Sequence, residues 1–110
     1  MNIQIWGKSK SFDSKKAERW FKERRIKYQY IDLLRYGISK GELSSVMKAV
    51  GLDAVVDPKD VDYPIFTHLA YDADKFDMLL DTPEMLLTPI VRNGRQATVG
   101  YCPDVWKTWE

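Results

Sequence analysis

Thr88-Pro89-Ile90-Val91-Arg92-Asn93-Gly94-Arg95-Gln96-Ala97-Thr98-Val99-Gly100 decides the fold, because it holds two β-rich runs around a central Asn-Gly. Asn-Gly tolerates the positive φ that a tight hairpin turn demands, so the stretch predicts a β-hairpin whose first strand follows a proline. Behind it, Cys102-Pro103-Asp104 opens a last helix with Val105, Trp106 and Trp109 as its apolar face. At the front, residues 2–6 alternate as a strand, with Ile3 and Ile5 on one face. Gly7 to Ser14 is a polar loop in which Ser11, Asp13 or Ser14 can cap the helix that follows. Ala17, Trp20 and Phe21 sit at helical spacing and leave a basic outer face. Residues 28–33 form a second strand. Ser39 and Glu42 then make a capping box for a helix burying Leu43, Val46, Met47 and Val50, which stops at Gly51. A helix of that length between strands predicts a βαβ unit.

Between Leu52 and Leu87 the pattern is broken at Asp57-Pro58 and Tyr63-Pro64. Ile65 to Tyr71 reads as a short helix or an irregular segment. Asp72 to Leu80 carries Phe76, Leu79 and Leu80 at helical spacing, and Pro83 to Leu87 follows an Asp81-Thr82 cap as another short helix. The expectation is a single α/β (α+β) domain over 1–110: βαβ, a helical insertion at about 52–87, then ββα.

The chain has 110 residues, 45% of them hydrophobic, enough for one core. Its single cysteine, Cys102, and single histidine, His68, exclude a disulfide framework, a Cys-based zinc site and a His cluster. No metal is expected. No apolar run is long enough for a membrane span and the start has no leader-like apolar core, so a cytoplasmic location is expected. The net charge of +1 hides an asymmetry: residues 1–50 hold 12 Lys/Arg against 5 Asp/Glu, and residues 51–110 hold 5 against 11. Such a dipole can steer a charged ligand or partner. Nothing matches a nucleic-acid-binding motif; the basic helix is a solvated face on this reading.

The order of elements resembles a thioredoxin-like fold, and its details resemble the ArsC/Spx family of arsenate-reductase-like proteins. The family's loop commonly reads Cys-Asp-Thr-Met-Lys-Lys-Ala, and the frame here is Ser11-Phe12-Asp13-Ser14-Lys15-Lys16-Ala17. Ile31-Asp32-Leu33, Gly37-Ile38-Ser39, Leu86-Leu87-Thr88-Pro89-Ile90-Val91, Asn93-Gly94, Val99-Gly100-Tyr101 and a Trp-bearing last helix are similar as well. The resemblance implies a four-stranded mixed sheet flanked by helices, with a cis bond before Pro89. It also implies a thiolate nucleophile at the first helix, where this chain has Ser11, and an oxyanion-contacting arginine before the proline, where it has Thr88. A basic residue four positions after the nucleophile is kept as Lys15.

Serine lacks the low pKa and the redox chemistry of that thiolate. The expectation is therefore a binding or regulatory module without thiol catalysis or cofactor. The alternative is a thiol-dependent oxidoreductase, arsenate-reductase- or glutaredoxin-like and drawing on glutathione, which would need Ser11 or Cys102 to act. Cys102 at the start of a helix would have its pKa lowered by the dipole if it were reactive; the competing reading is a structural cysteine. The loop's Lys8, Lys10, Ser11, Phe12 and Lys15 are the candidate contacts for a small oxyanion at the helix N-terminus. The resemblance also implies a protein partner, since Spx proteins bind the C-terminal domain of the RNA polymerase α subunit through a contact involving a glycine; Gly51 stands at a comparable place.

Overall fold

In a computed structural model that describes residues 1–109, four strands form one mixed sheet in the order β2-β1-β3-β4. Strand β1 (Ile3–Gly7) runs parallel to β2 (Tyr28–Asp32) and antiparallel to β3 (Ile90–Asn93), which pairs antiparallel with β4 (Gln96–Val99). Helix α1 (Phe12–Glu23) makes the crossover between β1 and β2, as the βαβ reading expects. Its apolar stripe, Ala17, Trp20 and Phe21, packs on the face of the sheet carrying Ile3, Ile5 and Val91, with Trp106 closing the cluster.

The opposite face carries Trp6 and Ile90 under helix α3 (Lys40–Val50), whose Leu43 and Val46 are fully buried. The capping box is present: Ser39 Oγ accepts from the Glu42 amide at 3.2 Å while the Glu42 carboxylate accepts from the Ser39 amide at 3.1 Å. Between β2 and α3 lies a one-turn helix, α2 (Leu33–Tyr36), where the sequence reading ran the strand on to 33. Residues 52–87 hold α4 (Leu52–Val55), α5 (Tyr63–His68), α6 (Asp72–Asp81) and a 3-10 turn over Pro83–Met85. Val55, Val56, Phe66, Leu79, Met85 and Leu86 from this stretch complete the second core.

Two local expectations shift. The hairpin turns on Gly94-Arg95, with Asn93 paired to Gln96 as the last residue of β3; Gly94, at φ +62°, takes the first central position, a requirement of the II′ class. Helix α7 (Pro103–Trp106) is a single turn followed by a 3-10 turn over Lys107–Trp109. So short a helix cannot bury two adjacent side chains: Trp106 is inside while Val105 is 44% exposed. The Thr88–Pro89 bond is cis, as the family resemblance implies. Among the described residues no helix is long and apolar enough to cross a membrane.

Candidate functional site

Strand β1 delivers the chain into the Lys8–Ser11 loop, and Ser11 is the residue that starts α1. Of the three capping candidates it is Ser11 that caps: its backbone is extended (φ −82°, ψ 115°) and its Oγ accepts from the Ser14 amide at 3.2 Å. The Ser11 amide in turn donates to Lys8 O at 2.9 Å. Ser14 is buried, and its Oγ accepts weakly from the Lys8 amide at 3.4 Å. The loop is thus closed on itself by the two serines. Among the described residues the Phe12 and Asp13 amides find no protein acceptor, as the first turn of a helix leaves them. They form the positive end of the α1 dipole, where Asp13 already places a carboxylate of its own.

Lys10 and Lys15 are exposed beside this turn. Phe12 is 77% exposed. A recess of about 380 Å³ opens here, lined by Lys8, Ser9, Lys10, Ser11 and Leu34.

Lys8 is used differently from the expectation. Its ammonium donates to Glu84 O at 2.9 Å and Leu86 O at 2.7 Å, so two of its three hydrogens are held by backbone carbonyls. Burial pushes its pKa down, opposed by Asp57, Asp60 and Glu84. Lys8 is a strap between the loop and the segment that leads into Pro89. Lys8→Met should cut this strap while keeping the stem, leaving two carbonyls short of a donor. We expect a loss of about 1–3 kcal/mol in urea unfolding, and faster amide exchange at residues 84–88.

Beyond the last β1–β3 pair, Trp6 with Ile90, the register carries Gly7 across from Pro89. The packing of Tyr30 and Ser14 against it explains why residue 7 is glycine. A Cβ there would come within 2.6 Å of the Tyr30 hydroxyl oxygen, 2.7 Å of Tyr30 Cε2 and 3.0 Å of Ser14 Cβ. Gly7→Ala should therefore cost about 1–3 kcal/mol by overpacking, and Tyr30→Ala in the same chain should recover part of that in a denaturant series. Neither Tyr30 over Gly7 nor the Lys8 strap has a local sequence signal; only the Ser11/Ser14 spacing hinted at the closed loop.

Cys102 precedes α7 without capping it by its side chain, and Sγ donates to Val99 O at 3.4 Å. Burial pushes its thiol pKa up, which reverses the lowering expected of a helix dipole. With one turn of helix the dipole is small, and desolvation wins. Cys102 should react with a disulfide reagent at pH 8 more slowly in the folded protein than in 6 M guanidinium. Equal rates would show an accessible, activated thiol.

Gly51 stands at the exposed junction of α3 and α4 with φ +88° and ψ 157°, a conformation that suits glycine. His68 is exposed, with Nδ1 2.6 Å from Pro64 O.

This arrangement, a βαβ unit joined to a hairpin entered through a cis-proline, defines the thioredoxin class of fold. Solved structures match it closely. An ArsC-family related protein from Bacteroides fragilis superposes at TM-score 0.84 with 17% identity, both chains covered in full at 100%. The arsenate reductase from Vibrio cholerae gives 0.83 with 22% identity over 96% of this chain and 94% of that one. No protein-family model matches the sequence. The Global transcriptional regulator Spx 2 of Oceanobacillus iheyensis is 27% identical, with 94% of this chain and 80% of that protein covered. The chain thus has the thioredoxin-like fold of the ArsC-family structures and is similar in sequence to an Spx regulator.

Proposed function

We propose that this protein is an ArsC/Spx-family binding module that has given up thiol catalysis and acts through protein contacts, as a regulator. One observation carries the reading: the hydroxyl of Ser11 at the start of α1 serves as a helix cap, held by the Ser14 amide. A neutral hydroxyl committed as an acceptor offers neither a disulfide nor a leaving thiolate. Cys102, a half-buried thiol with a raised pKa, supplies no substitute. The similarity to a protein described as a global transcriptional regulator supports the regulatory side of the reading. The partner proposed from the family resemblance is the C-terminal domain of the RNA polymerase α subunit, with Gly51 at the contact. Lys10, Ser11, Lys15 and the Phe12 amide are proposed to keep a small-oxyanion site, with no cofactor.

Two assays separate this reading from an oxidoreductase. Incubation with arsenate and either glutathione or thioredoxin should give no turnover above background; turnover abolished by Cys102→Ser would overturn the proposal. Affinity capture with purified polymerase α C-terminal domain should retain the protein. Failure there, with no turnover, would leave anion binding as the function of the loop.

A further inference from the structure

A second cleft lies away from the Ser11 loop, on the α3 face of the sheet at its β2 end. Its volume is about 490 Å³, and three consecutive residues of β2 (Gln29, Tyr30 and Ile31) line one side, so it runs along that strand. Strand β2 is the end strand of the sheet and, among the described residues, pairs only with β1. Its outer backbone groups therefore face away from the ladder, and Tyr28-Gln29-Tyr30-Ile31-Asp32 contains no proline or lysine to block pairing. The far wall is the Tyr36–Ser39 turn and the first turn of α3. Gly37, at φ +68° with open space where a Cβ would stand, keeps that wall low.

Trp6, Ile31 and Ile38 give the cleft an apolar lining, and the single ionised side chain lining it is that of Glu42. One Glu42 oxygen accepts the Ser39 amide, and the other is left for a ligand. Two guanidinium groups flank the cleft: Arg35 lies 5.2 Å from the Tyr36 ring centre, and Arg92, 5.6 Å from that of Trp6, donates from Nε to Gln4 Oε1 at 2.9 Å and from Nη2 to the same oxygen. Gln4 Nε2 donates in turn to Gln29 Oε1 at 3.5 Å. This row across β3, β1 and β2 turns the Gln29 amide so that its NH₂ is free to meet a carbonyl.

We propose that the β2 edge is a docking strand for an extended peptide of a partner protein, and that the cleft takes a lysine or arginine side chain from it. The aliphatic stem lies on Ile31 and Ile38, and the cationic head meets Glu42. Backbone pairing with β2 supplies affinity; Glu42 supplies the preference for a cation and disfavours an acidic residue.

The test titrates the ¹⁵N-labelled protein with acetyl-Thr-Val-Lys-Val-Thr-amide and with versions carrying arginine, norleucine or glutamate at the centre. Saturable amide shifts are expected at residues 28–32 and 36–42. The lysine and arginine peptides should bind about fivefold more tightly than the norleucine peptide, the scale of a partly exposed ion pair, and the glutamate peptide most weakly. Glu42→Gln keeps the capping box, since glutamine can serve in it, and should erase the lysine preference while leaving norleucine binding unchanged. A peptide N-methylated at alternate amides should lose binding. Absence of shifts at β2 with millimolar peptide, shifts centred on residues 8–15, or equal binding of the glutamate peptide would each overturn the proposal.

Discussion

Ser11→Cys, made in a Cys102→Ser background so that one thiol remains, is expected to produce a thiolate near neutral pH. The substituted sulfur would stand where Ser11 Oγ accepts from the Ser14 amide, with the free Phe12 and Asp13 amides beside it. Hydrogen bonds and a helix N-terminus both favour the charged form, and thiols so placed have pKa values of about 3.5–7.5 against about 8.5 for a free cysteine. Lys10 and Lys15 add to the effect, whereas Asp13 opposes it, so a value near the upper end, about 7, is expected. Thiolate absorbance against pH is the decisive readout. Reaction rate alone is a poor one, because a tenfold rise in thiolate fraction is partly offset by the lower nucleophilicity of a less basic thiolate. The same shift should appear in stability. A folded pKa lowered by about 1.5 units corresponds to about 2 kcal/mol. That contribution is fully present above the unfolded pKa of about 8.5 and disappears as pH falls through about 7. Urea midpoints at pH 9.5 and 6 should bracket it, relative to the Cys102→Ser parent. An inflection at or above 8.5 would show that the loop no longer stabilises an anion, and would remove the basis for the proposed oxyanion site along with it.

The parts of the molecule that could be read from sequence are those whose cause is local. Ser39 and Glu42 are three residues apart, so their reciprocal bonds are written in the spacing, and Gly51 marks the helix end by its own backbone freedom. The parallel β1–β2 pair follows from a helix long enough to cross between strands. The stretch 52–87 resists because its elements are short. Leu52–Val55 is one turn and shows no period, and Pro64 sits inside the first turn of α5, where proline is tolerated, so the helix starts before the break that proline suggested. Its order comes instead from distant partners, such as the isolated bridge of Val56 to Leu86 and the buried Phe66. The candidate site divides in the same way. Ser11 as a cap is legible, since the side chain bonds three residues on. Lys8 is not: a lysine in a polar loop looks like a ligand for anions, and its carbonyl acceptors lie 76 and 78 residues away. The burial of Cys102, which turns its pKa upward, also depends on tertiary packing.

Trp106→Ala should bring the protein close to global unfolding, for reasons of both volume and hydrogen bonding. The indole is 1% exposed and lies 5.4 Å from Trp20, 5.0 Å from Phe21 and 5.5 Å from Tyr101, ring centre to ring centre. Truncating a buried tryptophan costs about 3–5 kcal/mol, because the surrounding groups relax only partly into the space. Trp106 Nε1 also donates to Thr98 Oγ1 at 2.8 Å inside the core, and Thr98 is 7% exposed. Leaving that hydroxyl without its donor adds about 1–3 kcal/mol. The sum reaches the range of the whole stability of a small domain, about 5–15 kcal/mol, so a lost or strongly lowered urea midpoint is expected. Trp106→Phe separates the two effects. It keeps an aromatic ring against Trp20 and Phe21 but removes the N–H, so part of its loss should be recovered when Thr98→Val removes the orphaned hydroxyl as well. Non-additivity of about 1 kcal/mol between the two substitutions is the expected signature. A Trp106→Ala variant with an unchanged midpoint would mean that α7 does not fasten α1 to the sheet. In the structure it does: the single turn that carries Trp106 closes the cluster formed by Ala17, Trp20 and Phe21, and the helix so held is the one that begins at Ser11.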